Sequence, residues 1–292
     1  MTGFTFFAVL FVLFSSFVYG QKIKPTFSEV SYGPHKDMTL NFWKNRSPKP
    51  TPLLVHIHGG GWLGGKKMET VSPNLLQHGY SYASIDYRLA GVELLPAAVY
   101  DAARAIQFLR TKAKAWNINS SLIAVTGGSA GAASSMWLAY HDDLANPESD
   151  DPVLRESSRV CGAVAMGGQT TLDPFLLEKK IGPACIRHPM IWKTVGAASH
   201  EQLMKEWEKF KVLSLKCSPL THVTKDDPPV WLRYKKPDPI PVVKGDGIHH
   251  AGFGRLLKDR CKTIGISCYL SVMEREQAEL TSAEFLRMVF EQ

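Results

Sequence analysis

Apolar positions along the chain follow two periods. Short, mostly apolar runs fall at Leu53–Ile57, Tyr80–Ile85, Leu122–Thr126 and Val160–Met166, each followed by a polar residue or glycine, as buried strands require. Phe27–Tyr32 and Met38–Trp43 read as an early hairpin joined through Gly33-Pro34, and Val230–Leu232 and Ser267–Val272 as late strands. Between them, Leu94–Trp116 carries Ala98, Ala102, Ala105, Ile106 and Leu109 at helical spacing, and Ala130–Tyr140, His250–Thr263 and Ser282–Phe290 are further helices. Strands alternating with helices predict an α/β fold, a mostly parallel central sheet with helices on both faces. Residues 170–216 break the alternation with short helical stretches around Trp192, Leu203, Trp207 and Phe210. They read as a small lid-like insertion over one end of the sheet, inside a single domain spanning 21–292.

The first residues form a separate object. Phe4 to Phe14 is almost continuously apolar, and Val18-Tyr19-Gly20 offers a cleavage site after Gly20, the pattern of a secretory signal peptide over residues 1–20. The run is short for a membrane span, so the expectation is an exported body, periplasmic or extracellular, with no membrane association after cleavage; an uncleaved anchor is the alternative.

With 292 residues, 45% hydrophobic and 21% charged, the composition is that of a globular protein and excludes disorder, collagen and coiled coil. The net charge of +7 is scattered over residues such as Lys44, Arg46, Lys49, Lys179 and Lys205, so no nucleic-acid partner is expected. Five cysteines cannot all pair within one chain. Cys161 reads as a buried free thiol, while Cys185 and Cys217 bracket the insertion and could staple it. Their spacing fits no zinc site, and no metal or cofactor is expected.

Two motifs carry chemistry. Gly127-Gly128-Ser129-Ala130-Gly131 follows a strand and opens a helix, a tight turn that lifts the Ser129 hydroxyl above the carboxyl edge of a sheet, with the helix N-terminus behind it. It lacks the lysine of a phosphate-binding loop. His58-Gly59-Gly60-Gly61-Trp62 ends an earlier strand, and its glycines let backbone N–H groups converge on one point. Gly60, Gly61 and Ala130 are the expected donors of an oxyanion hole. His58 reads as a brace for the loop and Trp62 as packing beside the pocket.

These residues, with Asp86-Tyr87-Arg88-Leu89, Pro96–Val99, Asp101, Ser218-Pro219 and Asp227-Pro228-Pro229, resemble the α/β-hydrolases of the bacterial carboxylesterase and acetyl-ester hydrolase kind, related to hormone-sensitive-lipase-like esterases. The similarity runs from about Thr51 to the C-terminus. It implies that fold and a Ser–Asp–His triad hydrolysing a small-molecule or carbohydrate ester. It places the acid just after the strand behind the Pro-Pro pair, at Asp238. Asp226 and Asp227 precede that strand, at the wrong end of the sheet, and Asp246 is an outside candidate.

The histidine departs from the pattern. The family puts it after the last strand, where this chain has Met273-Glu274-Arg275-Glu276-Gln277-Ala278-Glu279-Leu280, and no histidine follows His250. His250 is the expected replacement base and His249 the alternative, both in the loop beyond Asp238. The reading is therefore an exported serine esterase acting on short-chain, and by class carbohydrate acetyl, esters through an acyl-enzyme. Its rival is a degenerate hydrolase that kept the pocket, lost the base and serves as a binding protein.

Overall fold

The computed structural model describes residues 22–235, 243–273 and 277–291. The expected signal peptide and Asp238 lie outside the described residues. Eight strands form one sheet: β1 Phe27–Ser31, β2 Thr39–Trp43, β3 Thr51–Ile57, β4 Ser81–Ile85, β5 Ile118–Gly128, β6 Gly162–Met166, β7 Val230–Tyr234 and β8 Cys268–Val272. Their spatial order is β1-β2-β4-β3-β5-β6-β7-β8. β1, β2 and β4 pair antiparallel, and every pair from β4 across to β8 is parallel. The expected hairpin is present, its loop closed by Tyr32 N–H donating to the Met38 carbonyl (2.9 Å).

β3, β4 and β5 are apolar because both faces are covered. Leu53, Val55, Ile57, Ala83, Ile85, Ile123 and Val125 are all fully buried in one core. The opposite face is covered by a second cluster, in which Leu54, Tyr82, Ala124, Val164 and Trp231 meet Phe285 and Val289 of the closing helix Ser282–Phe290. That helix starts at a reciprocal cap, with Thr281 and Glu284 each holding the other's backbone N–H.

The elements differ from the sequence pattern mainly at their ends. The helix expected over 94–116 runs Ala97–Thr111 and restarts as a short turn, Ala113–Trp116, before Asn117 reverses the chain at φ 60°. β5 is longer than its apolar run, since Ile118 pairs with Thr51 at the sheet margin and the polar residues 119–121 that follow reach water. The insertion is a chain of short helices from Pro174–Lys180 to Trp207–Lys216, four of its turns opening on proline or a side-chain cap. Cys185 and Cys217 are both buried and free, so the expected staple is absent. The two thiols that do hydrogen-bond each other are Cys261 and Cys268.

The register of the central strands positions the chemistry. Ile57 pairs with Gly127 and Gly128 with Met166, so the chain leaves β3, β5 and β6 side by side at one edge. The helix Ala130–Tyr140 then packs directly on β3 through glycine. A Cβ on Gly131 would overlap the Ile57 carbonyl oxygen, and one on Gly127 would stand 2.5 Å from the Gly131 carbonyl carbon. Gly131→Ala therefore forces the helix off the sheet. It should cost more than the ~3 kcal/mol upper end of ordinary overpacking and lower the melting temperature by well over 5 °C. A variant melting within 2 °C of the parent in calorimetry would show that this contact is dispensable, a shift of about 1 kcal/mol or less.

Candidate active site

Ser129 sits at φ 54°, ψ −122°, a conformation that L-residues other than glycine rarely adopt. Its own N–H donates to the Met166 carbonyl of β6 (2.9 Å), which fixes the turn from outside the helix it begins. The strain lifts the side chain out of the helical path, and Ala130 follows as the first helical residue, where N–H groups have no intrahelical acceptor.

The glycine loop lies against this turn. A Cβ on Gly59 would come within 2.7 Å of the Gly128 carbonyl oxygen. Gly60 and Gly61 take φ 109° and 65°, so the loop curls back, with Leu63 N–H donating to the Gly60 carbonyl (3.0 Å). Trp62 is fully buried and its indole N–H donates to Ser134 Oγ (2.9 Å), tying the loop to the helix below Ser129.

His58 braces the loop from behind. Its Nδ1 donates to the Gly59 carbonyl (2.7 Å), its ring stacks on Tyr87 at 4.2 Å, and Tyr87 Oη donates to the His58 carbonyl (2.8 Å). Burial pulls the His58 pKa down, against the opposing effects of the Gly59 bond and Asp86, so the ring is neutral at pH 7. The Asp86 carboxylate is 3.6 Å from Nε2, beyond hydrogen-bond range, and is committed to Lys67, whose Nζ donates to Asp86 (2.8 Å), Glu29 (3.0 Å) and Thr39 (3.0 Å). Burial works against the Lys67 charge, but the Asp86 and Glu29 hydrogen bonds outweigh it and hold its pKa up. Asp101, a buried acid of the resemblance, takes the Arg88 backbone N–H (2.9 Å) and its guanidinium, clamping the strand exit to the Ala97–Thr111 helix.

The ranking of the two adjacent histidines is reversed by the geometry. His249 Nε2 lies 3.0 Å from Ser129 Oγ, and His249 Nδ1 lies 3.0 Å from the Gly245 carbonyl. A carbonyl only accepts, so Nδ1 carries the proton and Nε2 is left to accept the serine hydroxyl. His250 is buried and points elsewhere: its Nδ1 accepts the Gly252 N–H (3.0 Å) as the helix Gly252–Ile264 begins. Adjacent residues in a turn project in different directions, and spacing from Asp238 could not tell them apart.

Two contacts that the sequence did not reveal hold the His249 loop. Gln169, just after β6, donates its amide to the Ile248 carbonyl (2.5 Å). Gly247 packs against the insertion so closely that a Cβ would stand 2.7 Å from the Cys185 nitrogen. The His249 ring itself rests on Gly167 at φ 61°, where a Cβ would meet its Cδ2 at 3.4 Å. Asp226 and Asp227 stay at the opposite end of β7, where Asp227 pairs with Arg159 (3.1 Å) and takes the Thr224 N–H (2.7 Å). Asp246 occupies the short helical turn Lys244–Gly247 beside His249.

A family model described as BD-FAE matches residues 40–246, ending before His249. Among curated proteins, the chain is 26% identical over 227 residues to the probable carboxylic ester hydrolase LipM of Mycobacterium tuberculosis, covering 75% of this chain and 50% of that protein. It is 23% identical to esterase LipQ of the same organism, covering 73% of this chain and 49% of that protein. The chain thus spans about half the length of the curated relatives it matches. Among solved structures, a truncated carbohydrate esterase from gut microbiota superposes with a TM-score of 0.72 at 19% identity, over 92% of this chain and 100% of that one. An acetyl ester-xyloside bifunctional hydrolase from Caldicellulosiruptor lactoaceticus superposes at 0.65 and 21% identity, over 93% and 94%. These likenesses establish the α/β-hydrolase fold expected from the sequence.

Electrostatics beneath the glycine loop make the fold acid-sensitive. His56 of β3 hydrogen-bonds Ser84 (3.1 Å), and burial, aided by His58, lowers its pKa to about 4. The unfolded chain takes up this proton near pH 6.5 and the folded chain only near pH 4, so the stability is complete above pH 6.5 and is lost as pH falls from 6.5 to 4. Melting temperature should fall across that window, and His56→Gln should flatten the fall. An unchanged slope in the variant would assign the acid sensitivity to other groups.

Proposed function

Since the chain belongs to the BD-FAE family, we propose that it is a serine hydrolase of carboxylic esters, acting through an acyl-enzyme. The observation that carries this reading is the 3.0 Å approach of His249 Nε2 to Ser129 Oγ, with Nδ1 engaged by a carbonyl. Ser129 attacks the ester carbonyl carbon while His249 takes its proton. The N–H groups of Gly60, Gly61 and Ala130 receive the oxyanion. As the intermediate collapses, His249 gives the proton to the departing alcohol, and the acyl group remains on Ser129. A water molecule, deprotonated by His249, then releases the carboxylic acid and restores the serine.

The acid, the substrate class and export rest on sequence and similarity. Asp238 is the proposed carboxylate behind His249, on the position the family resemblance implies. Short-chain acyl groups, including acetyl groups on carbohydrate, are the proposed substrates. Their support is the similarity to LipM and to solved carbohydrate and acetyl-ester hydrolases, together with a small insertion. Export after cleavage at Gly20 is proposed from the apolar run at residues 4–14, and Gln21 should then be the first residue of secreted protein by N-terminal sequencing. The rival reading, a degenerate binder, rested on an empty histidine slot, and a histidine within hydrogen-bond reach of the serine supports the enzyme over it.

Ser129→Ala and His249→Ala should each lower kcat on phenyl acetate by about 10⁴-fold or more, since members of such a unit fail together. A serine-directed phosphonate should add its mass to Ser129 of the parent protein. His250→Ala should lose far less, with its effect seen in melting temperature. A His250→Ala variant as inactive as Ser129→Ala, beside an active His249→Ala, would reassign the base. Asp238→Asn separates two sources of orientation: a loss of about 10⁴-fold fits a carboxylate partner, while near-parental turnover leaves the Gly245 carbonyl alone to orient His249.

A further inference from the structure

The insertion brings a second histidine to this site. His188 stands immediately before the short turn Pro189–Trp192, and its Nδ1 accepts the Met190 N–H (3.3 Å), capping that turn. Accepting at Nδ1 places the ring proton on Nε2. Among the described residues, the Met190 N–H is the only hydrogen-bond partner of the His188 ring, and Nε2–H meets no acceptor among them. The ring lies over the glycine loop: its Cε1 is 3.9 Å from where a Cβ of Gly61 would be, and Met190 Cβ is 3.4 Å from the same point. The ring is also close enough to His249 for the two to influence one another. Burial, then His249 and Lys244, lower the His188 pKa, which keeps it neutral at pH 7 with one proton, on Nε2.

A group that lies over Gly61 and within electrostatic reach of His249 faces a defined part of the reacting ester. Gly61 is a proposed oxyanion donor and His249 the proposed donor to the departing oxygen, so the space between them takes the alcohol portion. We propose that His188 is a specificity-determining residue whose Nε2–H donates a hydrogen bond to an oxygen of the substrate's alcohol portion. This rests on the esterase reading above. An alcohol bearing a hydroxyl or ether oxygen near the ester satisfies this donor. A hydrocarbon or aryl leaving group strands it, half-buried and unpaired, and is disfavoured for that reason. His188 performs no proton transfer in this scheme; its contribution is selection.

Two substitutions separate selection from architecture. Serine is a good helix cap but too short to reach the substrate, so His188→Ser retains the Met190 cap and deletes the donor. His188→Gln carries an amide N–H about as far from the backbone as imidazole Nε2. The quantity to measure is the ratio of kcat/KM for a monoacetylated methyl pyranoside to kcat/KM for phenyl acetate. His188→Ser should lower that ratio by about tenfold or more, and His188→Gln should recover part of it. A ratio unchanged in His188→Ser, or both substrates losing by the same factor, would overturn the proposal and leave His188 as a cap. A parent protein that neither turns over phenyl acetate nor takes the phosphonate at Ser129 defeats the esterase reading itself, and this proposal with it.

Discussion

Everything at the site depends on how closely three stretches of backbone approach at the carboxyl edge of the sheet. Gly131 leaves no room for a Cβ against the Ile57 carbonyl, Gly127 none against Gly131, and Gly59 none against Gly128. Side chains usually set the spacing between a helix and the sheet it covers. Here the absence of side chains sets it, and the helix below Ser129 rests directly on the main chain of β3. That contact fixes the glycine loop relative to the serine to within the stiffness of peptide planes. Geometry of this kind is what a preorganised oxyanion site requires, because donors held by backbone do not have to move when charge develops.

The same device recurs on the other side of the serine, with a different purpose. Gly247 meets the Cys185 backbone and Gly167 lies beneath the His249 ring, so the loop after β7 is pressed between β6 and the insertion. Gln169 completes the grip through the Ile248 carbonyl. The insertion is therefore more than a cover: it is one wall of the slot that orients His249. On the proposed assignment of His249 as base, this support is what lets the base stand after β7 and not after β8. Any loop at this edge can serve if something rigid stands behind it, and here the insertion provides the support.

Much of this was legible in the sequence, and the boundary of legibility has a physical cause. The run of buried strands, the helix Ala130–Tyr140 and the two glycine motifs are local patterns, readable from period and from glycine placement. Asp227 could be set aside from chain order alone, and it does sit at the far end of β7, paired with Arg159. The choice between His249 and His250 could not be read, since it turns on which of two neighbouring side chains leaves a turn in which direction. That direction is set by Gln169 and Cys185, distant in sequence. Cys185 and Cys217 misled for the same reason: bracketing an insertion says nothing about whether two thiols meet, and Cys261 and Cys268 meet across the end of a helix instead.

Histidine is used at this edge at three positions in two tautomers, each tautomer decided by its backbone partner. His58 and His249 donate through Nδ1 to the carbonyls of Gly59 and Gly245, so their Nε2 atoms are acceptors. For His249 that acceptor faces the serine, and for His58 it faces a carboxylate already held by Lys67. His188 accepts at Nδ1 from Met190, so its Nε2 is a donor. One ring chemistry thus serves a loop brace, a proposed proton acceptor and a proposed hydrogen-bond donor, and which nitrogen carries the proton follows from whether Nδ1 meets a C=O or an N–H. Where burial lowers the pKa, as at His58 and His188, it also protects these assignments, because a second ring proton would erase the distinction between the two nitrogens.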